Sequence, residues 1–260
     1  MQFGICSLSS IPVRFEPSEK SEMVTQILFG EHFTIIQEFM GWYLVKLEFD
    51  QAEGWVDLRM VTLISSRTFH RINSKASAVC TSIFDLIPNN DEQLMLVAGS
   101  SLPLWKPNKK EFSLGKDYYT TNGGCNAKRI KDLPQFIIQQ ALMYFSVPHQ
   151  SGGRSPFGID ASGLIQIIFK MAKIQFPRTI EYQVAYGEAL TFMEECENGD
   201  VAFFHDANGN INHAGFIWEK NKVIHVSGKV RIDGIDQYGI YNNETRRYTH
   251  NLRVIKRIGY

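Results

Sequence analysis

The chain has few cysteines: Cys6, Cys80, Cys125 and Cys196 in 260 residues. None forms a CxxC pair, and no histidine stands at zinc-module spacing from them, so a local zinc finger is excluded and no metal is expected. A disulfide framework is not expected in a chain this long. Charge of one sign is not in excess either, with 27 basic against 27 acidic residues. That balance argues against a nucleic-acid partner or an anionic membrane surface, and the short basic cluster Lys128-Arg129-Ile130-Lys131 reads as a solvated loop. No apolar run approaches membrane-span length. The opening MQFGICSLSS lacks a basic start followed by an apolar stretch, so no signal peptide is expected and the expected compartment is the reducing cytoplasm. Internal repeats and low-complexity tracts are missing as well.

What remains is a chain with 44% hydrophobic and 12% aromatic residues, enough for two or three compact units. Residues 1–64 read as all-β. Short apolar segments at 11–15, 24–29, 33–39, 42–47, 54–56 and 60–64 are cut by the turn residues Pro17-Ser18 and Gly30-Glu31. So many strands in so short a stretch predict a small barrel, with Trp42 and Trp55 either filling it or lining a groove. The series Val13-Arg14-Phe15-Glu16-Pro17-Ser18, Gly30-Glu31, Trp42 and Gly54-Trp55-Val56 resembles bacterial SH3 domains. Residues 65–122 are expected to form a second, degenerate SH3-like barrel, with strands at 93–98 and 102–105 and loops at Pro88-Asn89-Asn90 and Lys106-Pro107-Asn108.

From 123 to 260 the pattern changes. Residues 132–145 carry apolar positions at helical spacing, with Asp132 as N-cap and Pro134 in the first turn. A second helix is expected over 161–172. Strands follow at 201–204, 213–218, 223–226 and 252–258. Helices first and strands after predict an α+β domain.

The stretch Gly152-Gly153-Arg154-Ser155-Pro156-Phe157-Gly158-Ile159-Asp160-Ala161-Ser162-Gly163 runs a Gly/Pro-rich loop into that second helix. Position 161 falls in the first turn. Unpaired N–H groups and the partial positive charge there would lower a thiol's pKa and receive an oxyanion. The residue present is alanine. Downstream, His213 and His225 flank a hairpin turn at 219–221. A three-residue loop would set His225 opposite Gly215 with His213 diagonal to it on the same face. An even loop would separate the two histidines.

These motifs, with Gly199-Asp200-Val201-Ala202-Phe203-Phe204, His213-Ala214-Gly215 and the run Ile224-His225 to Asp233, resemble the NlpC/P60 cysteine peptidases. The branch they most resemble is the γ-D-glutamyl-L-diamino acid endopeptidases (dipeptidyl-peptidase VI-like) with N-terminal SH3 domains. The resemblance implies a papain-like α+β catalytic domain behind one or two SH3-like barrels, murein peptides as ligands, cell-wall recycling as the setting and no cofactor. It implies a nucleophile slot at 161, His213 as base and His225 as its orienting partner, with Asp160, Ser162, His149, Ser151 and Arg154 at the substrate. The sequence departs from the pattern at Ala161, at His149-Gln150-Ser151 (Tyr-Leu-Trp in the family), and at Arg178-Thr179-Ile180. Changes in the cleft as well as at the nucleophile favour a catalytically impaired homologue that binds muropeptide or another peptide-like ligand. The alternatives are an active murein-peptide endopeptidase carrying an engineered Cys-to-Ala change at 161, and an SH3-mediated scaffold for protein or cell wall. Neither Cys125, in a loop, nor Cys196, among carboxylates, is expected to replace the missing thiol.

Overall fold

The computed structural model describes residues 1–75, 77–89 and 92–259. The chain divides into two units, Met1–Arg129 with Ser151–Pro156, and Ile130–Gln150 with Phe157–Tyr260. No helix among the described residues is long and apolar enough to cross a membrane.

The first unit opens with seven strands: β1 (Gln2–Ile5), β2 (Ser10–Arg14), β3 (Met23–Leu28), β4 (His32–Phe39), β5 (Trp42–Leu47), β6 (Glu53–Asp57) and β7 (Thr62–Ile64). They form one antiparallel sheet in the order β3-β2-β6-β5-β4-β1-β7. Alternation on β5 sends Tyr43, Val45 and Leu47 inward to meet Ile11, Val13, Ile27, Phe33, Ile35 and Val56. Both tryptophans stay outside this core. Trp42 and Trp55 are half-buried, and Trp55 meets Phe39 edge-on at 6.3 Å between ring centroids. Aliphatics and phenylalanine fill the interior, which leaves the indoles on the other face of the same strands.

Next comes a helix that the strand pattern did not predict, α1 (Ser66–Ser74). The Ser65 side chain caps it by accepting from the Thr68 N–H, and Phe69 and Ile72 form its buried stripe. Short strands follow: β8 (Ala78–Cys80), β9 (Phe84–Asn89), β10 (Glu92–Val97), β11 (Ser101–Leu102), β12 (Glu111–Leu114), β13 (Asp117–Thr120) and β14 (Cys125–Asn126). Their core of Ile87, Leu96, Trp105, Phe112 and Tyr119 also takes in Ile5 and Phe29 from the first sheet. The strand expected over 102–105 stops at Leu102, because Leu104 adopts a left-handed φ of 54° and turns the chain. Of the loop expected at 88–90, Pro88 and Asn89 extend β9, and Asn90 lies outside the described residues.

The second unit begins with α2 (Leu133–Met143), capped by Asp132 with proline in its first turn as the sequence predicts. The chain then carries β15 (Arg154–Ser155), which belongs to the first unit, β16 (Gly158–Ile159), α3 (Ala161–Met171), α4 (Ile180–Gln183) and β17 (Glu188–Leu190). The rest is sheet: β18 (Val201–His205), β19 (Ile211–Trp218), β20 (Lys222–Ser227), β21 (Lys229–Asp236), β22 (Gly239–Asn242) and β23 (Arg247–Arg257). The strand order is β17-β23-β18-β19-β20-β21-β22, and β22 also pairs with β23, which closes β18 to β23 into a six-stranded barrel. Ala202, Phe204, Ile217, Val223, Ile240 and Ile255 pack together as one cluster. α3 packs on β19 and β20, with Phe169 edge-on to Phe216 at 5.8 Å. Sheet residues of both faces are therefore covered, which is why Val201-Ala202-Phe203-Phe204 reads as a continuous apolar run rather than an alternating one.

Candidate active site

Position 161 is the first residue of α3, preceded by its N-cap Asp160. The Asp160 carboxylate accepts from the Gly163 N–H at 2.6 Å and from the Ser162 hydroxyl at 3.1 Å. Arg178 clamps the same carboxylate from the other side, with Nη1 at 3.0 Å from Oδ1 and Nη2 at 2.7 Å from Oδ2, and Nη1 also donates to Ser162 Oγ at 2.7 Å. Burial alone would raise the Asp160 pKa. The Arg178 charge and hydrogen bonds outweigh it and hold the carboxyl below the usual range. Gln183 of α4 donates to the Ser162 carbonyl at 2.9 Å. The start of α3 is thus locked at its cap, while the N–H groups of Ala161 and Ser162 have no partner within the helix.

The histidines follow the three-residue hairpin. Trp218 pairs with Lys222 and Gly215 with His225, and Glu219 and Lys220 take left-handed φ values of 51° and 61° to make the turn. His213 and His225 therefore share a face. His213 Nε2 lies 2.9 Å from His225 Nδ1, and His225 Nε2 lies 2.9 Å from Asp233 Oδ2. Arg231 holds that aspartate, with Nη2 donating to Oδ1 at 3.0 Å and Nε 2.7 Å from Oδ2. All three groups of the relay are buried, His213 at 7%, His225 at 1% and Asp233 at 4% exposure. Burial would raise the Asp233 pKa, but the hydrogen bonds from His225 and Arg231 more than offset it and keep the carboxylate ionised. A third imidazole, His250 from β23, stacks on His213 with centroids 4.0 Å apart. Burial first, then the neighbouring His250, His225 and His149, hold the His213 imidazole well below its ordinary pKa. His250 is pushed down to about 4, mainly by burial and then by His225.

A neutral imidazole backed by a histidine–carboxylate pair can accept a proton from a thiol brought within hydrogen-bond reach of it. The Ala161 methyl has no proton to give and no lone pair to attack with. The native thiols do not substitute. Burial, as the largest cause, pushes Cys80 up to about 12 and Cys196 up to about 11, and raises Cys125 as well.

The remaining expected site residues divide between the units. His149 is exposed in the second unit, where its N–H donates to the Gly228 carbonyl at 2.9 Å. Ser151 is exposed in the first. Arg154, expected at the substrate, is wholly buried in the first unit, with its guanidinium on Glu31 at 3.0 and 3.3 Å and on the Gln26 carbonyl at 2.8 Å. Those bonds make it a structural tie. Arg178, His250 and the Asp233 role were missed. Counting alternate positions back from the Gly228 turn would have placed Asp233 on the His225 face.

Gly215 explains the close approach of β19 to β20. A Cβ there would lie 2.7 Å from Val223 Cγ2, 2.8 Å from the Ile224 carbonyl oxygen and 2.9 Å from His225 Cβ. The carbonyl cannot swing aside, so the strand must move. Gly215→Ala is expected to lower stability by about 1–3 kcal/mol and to break the His213–His225 hydrogen bond. Thermal melting with imidazole nitrogen NMR checks both, and unchanged imidazole resonances would show that the close approach is not what sets the pair.

The NlpC/P60 family model matches residues 146–250, and the bacterial dipeptidyl-peptidase SH3 domain model matches residues 13–60. The chain is 25% identical over 218 residues to the gamma-D-glutamyl-L-lysine dipeptidyl-peptidase of Bacillus subtilis (strain 168), which covers 77% of this chain and 71% of that one. It is 22% identical over 254 residues to dipeptidyl-peptidase 6 of Lysinibacillus sphaericus, covering 88% of this chain and 90% of the relative. The crystal structure of an NlpC/P60 family protein from Bacillus cereus ATCC 10987 superposes with a TM-score of 0.82 at 17% identity, over 98% of this chain and 99% of that one, which shows a common fold.

Proposed function

We propose that this chain, which joins a bacterial dipeptidyl-peptidase SH3 domain to an NlpC/P60 domain, is a catalytically impaired homologue of γ-D-glutamyl-L-diamino acid endopeptidases that binds a murein peptide in the former catalytic cleft. The observation that carries the reading is Ala161 as the first residue of α3, in a unit whose buried His213–His225–Asp233 relay is complete. Relatives named gamma-D-glutamyl-L-lysine dipeptidyl-peptidase support the ligand class. Asp160 and Ser162 would meet the ligand's amino end. Because Arg178 already neutralises Asp160, the ligand's ammonium group should add little to binding.

Calorimetry with L-Ala-γ-D-Glu-diamino acid peptides tests this. Saturable binding is expected, with N-acetylation of the peptide weakening it less than tenfold. Absence of binding by every murein peptide tried would remove the ligand half of the reading.

The intact relay favours a second reading, an active peptidase in which alanine stands in for the nucleophile. It predicts that Ala161→Cys releases L-Ala-γ-D-Glu from the same peptide, and a folded variant that releases none ends it.

A further inference from the structure

Three imidazoles meet on the barrel of the second unit, His213 from β19, His225 from β20 and His250 from β23. One ring nitrogen of each lies within 4.8 Å of the other two. His213 and His250 stack, and His225 stands edge-on to both, with centroids 5.2 and 5.8 Å away.

The proton count at this cluster is informative. His225 Nε2 faces Asp233 Oδ2, and an ionised carboxylate only accepts, so that nitrogen carries the hydrogen. The other ring nitrogen of His225, Nδ1, then faces His213 Nε2 2.9 Å away. A hydrogen on His213 Nε2 satisfies the pair as an ordinary N–H···N hydrogen bond, and a divalent cation can take that hydrogen's place. A third imidazole packed against the pair brings another ring nitrogen within reach of both, and neutral imidazole is a good ligand for zinc.

We infer that His213, His225 and His250 form a three-histidine site for a divalent transition metal of the zinc class, with Asp233 orienting His225 from behind. Three nitrogens at zinc–nitrogen bond length in a tetrahedral arrangement stand about 3.3 Å apart. The 2.9 Å pair would open by a few tenths of an ångström, and the half-exposed His250 ring would turn out of its stack on His213, because two nearly parallel rings cannot both aim their in-plane lone pairs at one ion. The carboxylate–histidine–metal arrangement recurs in zinc proteins because it fixes the tautomer and raises ligand basicity. Arg231 also binds Asp233, which tempers the negative charge available to the cation without removing the acceptor. Three protein ligands leave a fourth position for water or for a donor atom of a ligand. The pattern escapes a search for local zinc motifs because its members come from three strands, and His250 is brought in by the pairing of β23 with β18, the neighbour of β19.

The proposal does not rest on the peptide reading, and its test does not use a peptide. The full chain, stripped with a chelator, is titrated with Zn2+ against a chromophoric competitor and separately with Co2+. One equivalent is expected to bind in the micromolar range or tighter. The cobalt form should show visible bands of a four-coordinate site and no thiolate-to-metal charge-transfer band. His250→Phe keeps the stacked ring and removes its nitrogens, and His213→Gln removes a ring. Each should weaken binding at least 100-fold, and Zn2+ should raise the melting temperature of the parent chain only. If His213→Gln fails to fold, the half-exposed His250→Phe carries the comparison. No saturable binding below about 100 µM, binding unchanged in His250→Phe, or a thiolate charge-transfer band would overturn the proposal.

Discussion

A cysteine introduced at position 161 should be alkylated by iodoacetamide at pH 7 at least about 100-fold faster than any of the four native thiols. The expectation rests on two separate effects. Residue 161 is the first of an eleven-residue helix, where unpaired N–H groups and the helix dipole favour a thiolate. α3 also packs on β19, the strand that carries His213, a neutral imidazole able to take the thiol proton. The native thiols lack both. Burial pushes Cys80 up to about 12 and Cys196 up to about 11, so both stay almost wholly protonated at pH 7. The experiment is peptide mass spectrometry of Ala161→Cys after timed alkylation, with a chelator present so that metal cannot mask the new thiol. Adding His213→Gln should slow the reaction at least tenfold while leaving the helix contribution in place. Equal rates at the introduced and native positions would mean that helix and histidine do not act on one point. Because the readout needs no substrate, it separates the chemistry of the slot from the shape of the cleft.

The parts of this fold that were legible in sequence are those set by short-range rules. Asp132 and Asp160 read as caps because each sits just before an apolar helical stripe, and both accept the N–H three residues on. The His213–His225 pairing was legible on one condition, a three-residue turn, and the pairing of Trp218 with Lys222 meets it. α1 was not legible, because its buried stripe is only Phe69 and Ile72 and it lies in a segment otherwise patterned for strands. His250 escaped because it reaches His213 only through the long-range pairing of β23 with β18. Phe204 pairs with His213 on one side and with Leu252 on the other, which brings the last strand alongside. Arg178 escaped for a different reason. It lies in the short stretch between α3 and α4, and only the burial of Asp160 reveals the need for a counter-charge there. For His250 and Arg178 the missing information is a long-range contact.

Arg154 gives the second large expected effect, and it lies outside the histidine site. Its side chain is fully buried and that of Glu31 is 2% exposed. Glu31 also accepts from the Leu28 N–H at 2.8 Å, and the Arg154 N–H donates to Gln26 Oε1 at 2.7 Å. Two ions out of water are tolerable only as a pair, and removing one strands the other. Glu31→Leu is therefore expected to destabilise the first unit by about 3–5 kcal/mol, a fall in melting temperature on the order of 10 °C. Arg154→Met should do much the same. The double variant should recover at least half of the loss, because an apolar pair of similar volume carries no stranded charge. Scanning calorimetry of the four proteins reads this directly. If Arg154→Met leaves the melting temperature within 2 °C of the parent but abolishes murein-peptide binding, the guanidinium serves the ligand and the buried pair is incidental. If it melts early and still binds peptide when held well below its transition, Arg154 belongs to the architecture.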